Sequence, residues 1–155
     1  MEIFISIVNL VNLLFQPIAN IFLKTTVSVE NPICEFNRSR ISDGEGGFLF
    51  GSHGNFDLVV INRKNTSALI RNVYCTALCE GKLLKDRILC KTLHCRNSDL
   101  SNCACTNIQE ISVSPKSSIR YAVTFSVGAD LSLCDKFVLH YCDGLKNKRI
   151  VIWKK

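Results

Sequence analysis

The sequence predicts a mainly β protein: an antiparallel β-sandwich of seven to nine short strands, preceded by one N-terminal apolar helix. Three observations carry this. Residues 3–23 read IFISIVNLVNLLFQPIANIFL, a stretch without a single charge. From residue 24 onward the apolar residues recur with a period of two, in runs rich in Val, Ile, Tyr and Phe. Clusters of Gly, Pro, Asn, Asp and Ser interrupt those runs at regular intervals.

The chain has 155 residues, 47% apolar and 21% charged, which suits one well-cored domain and excludes a disordered chain. Eight glycines and three prolines exclude collagen-like and low-complexity architectures. The division expected is a hydrophobic segment over 1–23 and a β-sandwich domain over 24–155.

At about 1.5 Å per residue the apolar stretch makes roughly 31 Å of helix, enough to cross a hydrocarbon core of about 30 Å. A signal peptide wants a basic start and a small-x-small exit; here the start is Met-Glu and the exit Asn-Ile-Phe-Leu-Lys. A helix lying in the membrane interface usually carries Lys or Arg on its polar face, and this one has none. A single-pass transmembrane helix is therefore the preferred reading. Glu2, Ser6, Asn9, Asn12, Gln16 and Asn20 follow one another by three or four and share one face of that helix. Uncharged amides there can hydrogen-bond to another helix at about 0.6 to 2 kcal/mol each, which points to a protein partner or a homo-oligomer formed through Ser6, Asn9, Asn12, Gln16 and Asn20. An inert stripe is the competing interpretation. Pro17 is tolerated in a spanning helix and kinks it. Basic residues follow the span (Lys24, Arg38, Arg40) and none precede it, so the positive-inside rule puts residues 24–155 in the cytoplasm.

The strands follow in order. Thr26–Glu30 alternates, Phe56–Asn62 is a β-branched run, and Ala68–Cys75 alternates after the turn-like stretch from Arg63 to Ser67. Ile108–Val113 and Ile119–Val127 flank Ser-Pro-Lys-Ser-Ser. Phe137–Cys142 and Arg149–Trp153 flank Asp143-Gly144-Leu145-Lys146-Asn147-Lys148, a hairpin connection. Weaker candidates are Ile33–Asn37, Phe48–Phe50 and Leu84–Thr92. Asp43–Gly47 reads as a loop and Gly51-Ser52-His53-Gly54 as a turn.

An apolar N-terminal helix thus leads into Thr-Val-Ser-Val-Glu-Asn, then Leu-Val-Val-Ile-Asn-Arg-Lys-Asn-Thr-Ser-Ala-Leu-Ile-Arg-Asn-Val, then Ile-Ser-Val-Ser-Pro-Lys-Ser-Ser-Ile-Arg-Tyr, closing on Tyr-Cys-Asp-Gly-Leu-Lys-Asn-Lys-Arg. This layout resembles the small membrane-anchored, immunoglobulin-like β-sandwich proteins of bacteria. The resemblance covers most of the chain. It implies the fold, with a strand ending in Asn, a turn, and a strand packed back on it, and implies no activity. Nine cysteines depart from the usual pattern of such domains.

Those cysteines are Cys34, Cys75, Cys79, Cys90, Cys95, Cys103, Cys105, Cys134 and Cys142. An odd count leaves one without an intramolecular partner, in mild agreement with a reducing cytoplasm. Cys79, Cys90, His94, Cys95, Cys103 and Cys105 lie close in sequence, and Cys90-x3-His94 with Cys103-x-Cys105 could make two halves of a zinc site. There is no Cys-x2-Cys, so a metal or thiol site over Cys79–Cys105 stays an alternative, and no cofactor is expected. Disulfides among residues 75 to 105 belong to another alternative, a secreted or surface domain whose first residues are a signal. Buried free thiols are the simplest outcome.

For an enzyme the sequence offers little. His140 and Cys142 are two apart on a strand and share a face, but a thiol catalyst also needs an orienting group. There is no P-loop, no Gly-x-Gly-x-x-Gly and no His-Glu-x-x-His. The net charge of +6 is scattered, dense only in Lys146–Arg149 and Lys154–Lys155, with no RNA-binding motif. Nucleic acid is not the expected partner; for a tethered domain the charge suits anionic membrane lipid. The expectation is a membrane-anchored, non-catalytic binding module.

Overall fold

The computed structural model describes residues 23–42, 48–95 and 103–155. Nine strands follow in order: β1 (Thr25–Ser42), β2 (Phe48–Asn62), β3 (Ala68–Cys79), β4 (Lys82–Cys95), β5 (Cys103–Asn107), β6 (Glu110–Val113), β7 (Ser117–Val127), β8 (Lys136–Asp143) and β9 (Lys146–Lys154). The fold is mainly β, as expected, and none of the described residues is helical. Residues 3–22 of the apolar segment, with Ser6, Asn9, Asn12, Gln16 and Asn20, lie outside the described residues.

Every pairing is antiparallel, and neighbours run β1-β2-β7-β4-β3-β8-β9, with β5 beside β4 and β6 beside β3. Two separate layers were expected; instead one strand belongs to both. Tyr74 and Cys75 of β3 pair with Leu89 and Ile88 of β4, while Cys90–Thr92 of the same strand pair with Phe125–Val123 of β7. Where β4 leaves β3, β6 takes its place along Ala68–Arg71. The sheet thereby curls nearly into a barrel, and its two edge strands meet where Trp153 of β9 packs edge-on against Phe36 of β1, ring centroids 4.8 Å apart.

Local irregularities make this bending possible. In β1, Asn31 and Pro32 stand against the single residue Phe56 of β2, and Asn31 takes a left-handed φ of 50°. That bulge on an edge strand is where a strand can hold proline, which has no N–H for the ladder. It joins the two expected segments Thr26–Glu30 and Ile33–Asn37 into one strand. Asn72 in β3 (φ 53°) and Arg87 in β4 (φ 51°) mark two further bulges, each setting two residues against one: Asn72 and Val73 against Tyr141, Asp86 and Arg87 against Thr76. Bulges bend and twist a strand, which lets β4 turn from one half to the other.

Gly51-Ser52-His53-Gly54, expected as a turn, runs straight through β2 and is a correction. Its glycine is needed for close approach rather than reversal. A Cβ on Gly54 would lie 2.3 Å from the Ile33 carbonyl oxygen and 2.7 Å from the Phe125 ring. Ser52 is fully buried and braces three segments. Its hydroxyl accepts the Leu131 N–H at 3.1 Å and lies 3.1 Å from the Phe36 carbonyl and 2.9 Å from that of Ala129, one of which takes its proton.

The core is aromatic at its centre. Phe125 packs on Phe137 (centroids 4.6 Å) and Phe36 on both (6.5 and 5.3 Å), with Phe56, Leu58, Ile70, Ile111 and Leu139 around them. Along β8 the inward residues are Phe137, Leu139 and Tyr141, the alternation read from the sequence. At one end of the domain Asn62 terminates β2. Its amide nitrogen lies within hydrogen-bond reach of the carbonyls of Thr66 (2.8 Å), Val113 (3.1 Å) and Ser114 (3.0 Å), which share its two N–H groups, and its oxygen accepts the Lys64 N–H at 3.0 Å. Asn62 is 1% exposed, so an alanine there strands several buried backbone groups. Asn62→Ala is expected to cost about 3 kcal/mol in urea unfolding, against near-neutrality for an exposed turn substitution such as Leu145→Ala.

Candidate functional site

Two surfaces and one buried cluster gather chemistry. The first surface is the end of the domain at which β1 begins. Leu23 there borders two adjoining hollows. One is lined by Arg63 and Lys116, the other by Lys24, Lys64, Lys146, Lys148 and the turn Asp143-Gly144-Leu145. The elements that bring these together are the start of β1, the β2–β3 turn, the β6–β7 turn and the β8–β9 hairpin. In an antiparallel sheet every second turn falls at the same end, so residues far apart in sequence become neighbours. Six cations thus face one carboxylate. Asp143 is already engaged by Lys148 at 2.7 Å and stands 3.9 Å from Lys64, and its hydrogen bond holds the Lys148 ammonium above the ordinary lysine range. Leu145 at the tip is 100% exposed.

The second surface is a groove of about 440 Å³ on the outer face, lined by Asn72, Tyr74, Asp86, Arg87, His140, Tyr141, Asn147 and Lys148. An adjoining hollow of about 290 Å³ continues it past Leu89, Asn107 and Gln109. Both share Asn72, Tyr74 and Arg87. The two left-handed bulge residues therefore line one place. Non-glycine residues held in that conformation cost of order 1 kcal/mol each and cluster where a surface is shaped for use. At its centre Tyr74 stacks on its cross-strand partner His140, centroids 4.9 Å and planes within 5°, and the Arg87 guanidinium lies 5.8 Å from the Tyr74 ring centroid.

His140 is held by its neighbours. Its Nε2 is 2.9 Å from the Thr76 hydroxyl. Burial lowers its affinity for a proton, the Arg149 charge lowers it further, and Asp86 partly opposes both. A histidine whose folded-state value is depressed favours the neutral ring. Its stabilising contribution is complete above the ordinary imidazole value of 6.5 and is lost as pH falls through the lower folded-state value. Urea midpoints followed across the acid side of neutrality are expected to fall on acidification, with a flatter profile in His140→Gln. Cys142, two residues on, shares that outer face, and its thiol donates to the Gly144 carbonyl at 3.1 Å. The two side chains suggested as a thiol–imidazole pair are thus each engaged with another group.

The cysteines distribute differently from their sequence clustering. Cys75 and Cys90 are both in the core, their sulfurs 3.5 Å apart. Burial pushes the Cys75 thiol well up, and the Cys90 contact and the more distant Cys34 add to this. Cys34 is pushed up to about 11 by burial and by Cys134. Cys134, raised by burial, donates to the Lys136 carbonyl at 3.3 Å and also feels Cys79. The Cys75–Cys90 contact joins β3 to β4, and Cys34 of β1 and Cys134 before β8 are thiols that burial likewise raises. A thiol with a raised value is a poor nucleophile at neutral pH. Sequence proximity could not have revealed this grouping, because Cys34 and Cys134 lie far from the dense stretch.

Of the zinc alternative, Cys90 is turned to Cys75, and the backbone register puts Cys95 opposite Cys103 and His94 opposite Ala104. Among the described residues no three His, Cys, Asp or Glu side chains converge as metal ligands. Among them, too, no helix is long and apolar enough to cross a membrane. Comparison with family models, with curated proteins and with solved structures finds no match.

Proposed function

We propose that the chain is a membrane-tethered, non-catalytic binding module. In this reading an immunoglobulin-like domain is anchored by residues 3–23, rests its cationic end on anionic lipid, and presents the Tyr74 groove to a protein partner. The observation that carries the reading is a coincidence of place. Leu23, the last residue of the uncharged segment, borders the hollows lined by Lys24, Arg63, Lys64, Lys116, Lys146 and Lys148. A domain tethered there turns its cations toward headgroups, and each is worth about 1 kcal/mol at an anionic surface. The fully exposed Leu145 suits the same interface.

The pairing order supports the immunoglobulin-like part. β1-β2-β7 and the later half of β4 adjoin as strands A, B, E and D do in such domains, and β3-β8-β9 adjoin as C, F and G do. The non-catalytic part is supported by the engaged His140 and by the Cys34 and Cys75 thiols, which burial holds protonated. Association through the amide face of Ser6, Asn9, Asn12, Gln16 and Asn20 completes the proposal.

Residues 23–155 are expected to float with vesicles containing phosphatidylserine and to stay behind with phosphatidylcholine alone, the binding fading as salt rises. Replacing Lys24 and Lys146 together by alanine removes about 2 kcal/mol, roughly a thirty-fold loss of partitioning. Equal binding to both vesicle types would refute the lipid contact. For orientation, the exposed Cys105 is the reporter: a membrane-impermeant thiol reagent should label it in full-length protein only after cells are permeabilised.

A further inference from the structure

We infer that Cys75 and Cys90 form a latent disulfide site, closed by a hydroperoxide, that staples β3 to β4 at the point where the two strands part. The sulfurs already touch at 3.5 Å, and side-chain rotation has to bring them to about 2.05 Å. Both residues are at most 1% exposed, and both point to the core. Cys75 pairs across the ladder with Ile88, so Cys90 lies on the same face two residues further along β4. Cys90 is also the first β4 residue paired with β7, opposite Phe125. A bond here ties β3 to the strand that carries the sheet from one half to the other. Cys90 is favoured over Cys34 as the partner because its sulfur makes the contact with that of Cys75.

The oxidant must be small, since the pair is enclosed; hydrogen peroxide is close to water in size. One sulfur, as thiolate, attacks the peroxide: an S–O bond forms, the O–O bond breaks, and hydroxide leaves to take up the thiol proton as water. The second sulfur then displaces the sulfenic hydroxyl: the S–S bond forms, the S–O bond breaks, and the hydroxyl leaves as a second water with the second thiol proton. Two thiols and one peroxide become one disulfide and two waters, the two sulfurs having supplied two electrons. Burial keeps thiolate scarce, so closure is slow and quickens as pH rises.

The test uses full-length protein in detergent, treated with hydrogen peroxide, quenched, alkylated under denaturing conditions and digested with trypsin. Cleavage after Arg87 and Lys91 isolates Cys90 in Ile88–Lys91, and cleavage after Arg71 and Lys82 places Cys75 with Cys79 in Asn72–Lys82. The expected product joins these two peptides, persists in Cys79→Ala and disappears in Cys75→Ala. The urea midpoint of the oxidised protein should rise above that of the reduced form, and Cys75→Ala should abolish the rise. Recovery of Ile88–Lys91 fully alkylated, or joined to any other cysteine peptide, overturns the assignment. The wild-type and Cys79→Ala maps decide the matter even if Cys75→Ala does not fold.

Discussion

Phe125→Ala is expected to lower the unfolding free energy by about 4 kcal/mol, because a large side chain leaves a site that cannot collapse. Phe125 is 0% exposed and stacks against Phe137 and Phe36, which belong to β8 and β1. Its own strand pairs with β2 on one side and β4 on the other, so the backbone around the vacated volume is held from both edges. With net stabilities of 5 to 15 kcal/mol typical, a loss of this size brings a domain near the limit of folding. Urea denaturation of residues 23–155 followed by Trp153 fluorescence measures it. The double variant Phe125→Ala/Phe137→Ala should lose less than the sum of the two single losses, since the rings share one contact. A loss under 1 kcal/mol for Phe125→Ala would mean that the aromatic centre is not packed as described.

Gly54→Ala should cost about 3 kcal/mol, at the upper end of what overpacking does. The added methyl meets the Ile33 carbonyl oxygen at 2.3 Å, and a backbone atom cannot swing aside as a side-chain end can. Either β1 lifts from β2 beyond its bulge or β2 shifts against Phe125, and both weaken the seam that Phe36 and Trp153 close. Gly128→Ala is the matched control: its new Cβ meets nothing within 4 Å, and a change within about 0.5 kcal/mol is expected. The same urea titration reads both.

Much of the strand plan was legible because a strand's signal is local. Leu58 and Val60, Phe137 and Leu139, and Val123 and Phe125 alternate inward within a few residues, and their strands lie where the period put them. The turn between Asn62 and Ala68 and the existence of the last hairpin were equally plain, since their residues carry turn chemistry of their own, although Lys146–Lys148, read as part of the connection, belong to β9. Three features were misjudged or missed for the opposite reason. Gly54 looked like a turn because a glycine serving a neighbouring strand is indistinguishable in sequence from one serving its own reversal. β5 went unseen, since Cys103–Asn107 has little β-branched character and is a strand through pairing with β4. Pro32 lies between the expected segments Thr26–Glu30 and Ile33–Asn37, and a bulge carries one strand past it.

The candidate surfaces show the same division more sharply. Lys24, Arg63, Lys64, Lys116, Lys146 and Lys148 read as scattered charge, and alternate turns of an antiparallel sheet collect them at one end. The Tyr74–His140–Arg87 arrangement needs two bulges on neighbouring strands, which no window of sequence contains. The Cys75–Cys90 contact depends on where β4 abandons β3 for β7.

Residue order alone was enough for the β class, the antiparallel hairpins and the inward faces, because side-chain alternation and turn preference act over two to five residues. Register, the exchange of β4 between partners, and every grouping of functional side chains required the folded molecule. Those depend on contacts between residues remote in the chain, whose energies are set by packing around Phe125 and by buried anchors such as Asn62 and Ser52.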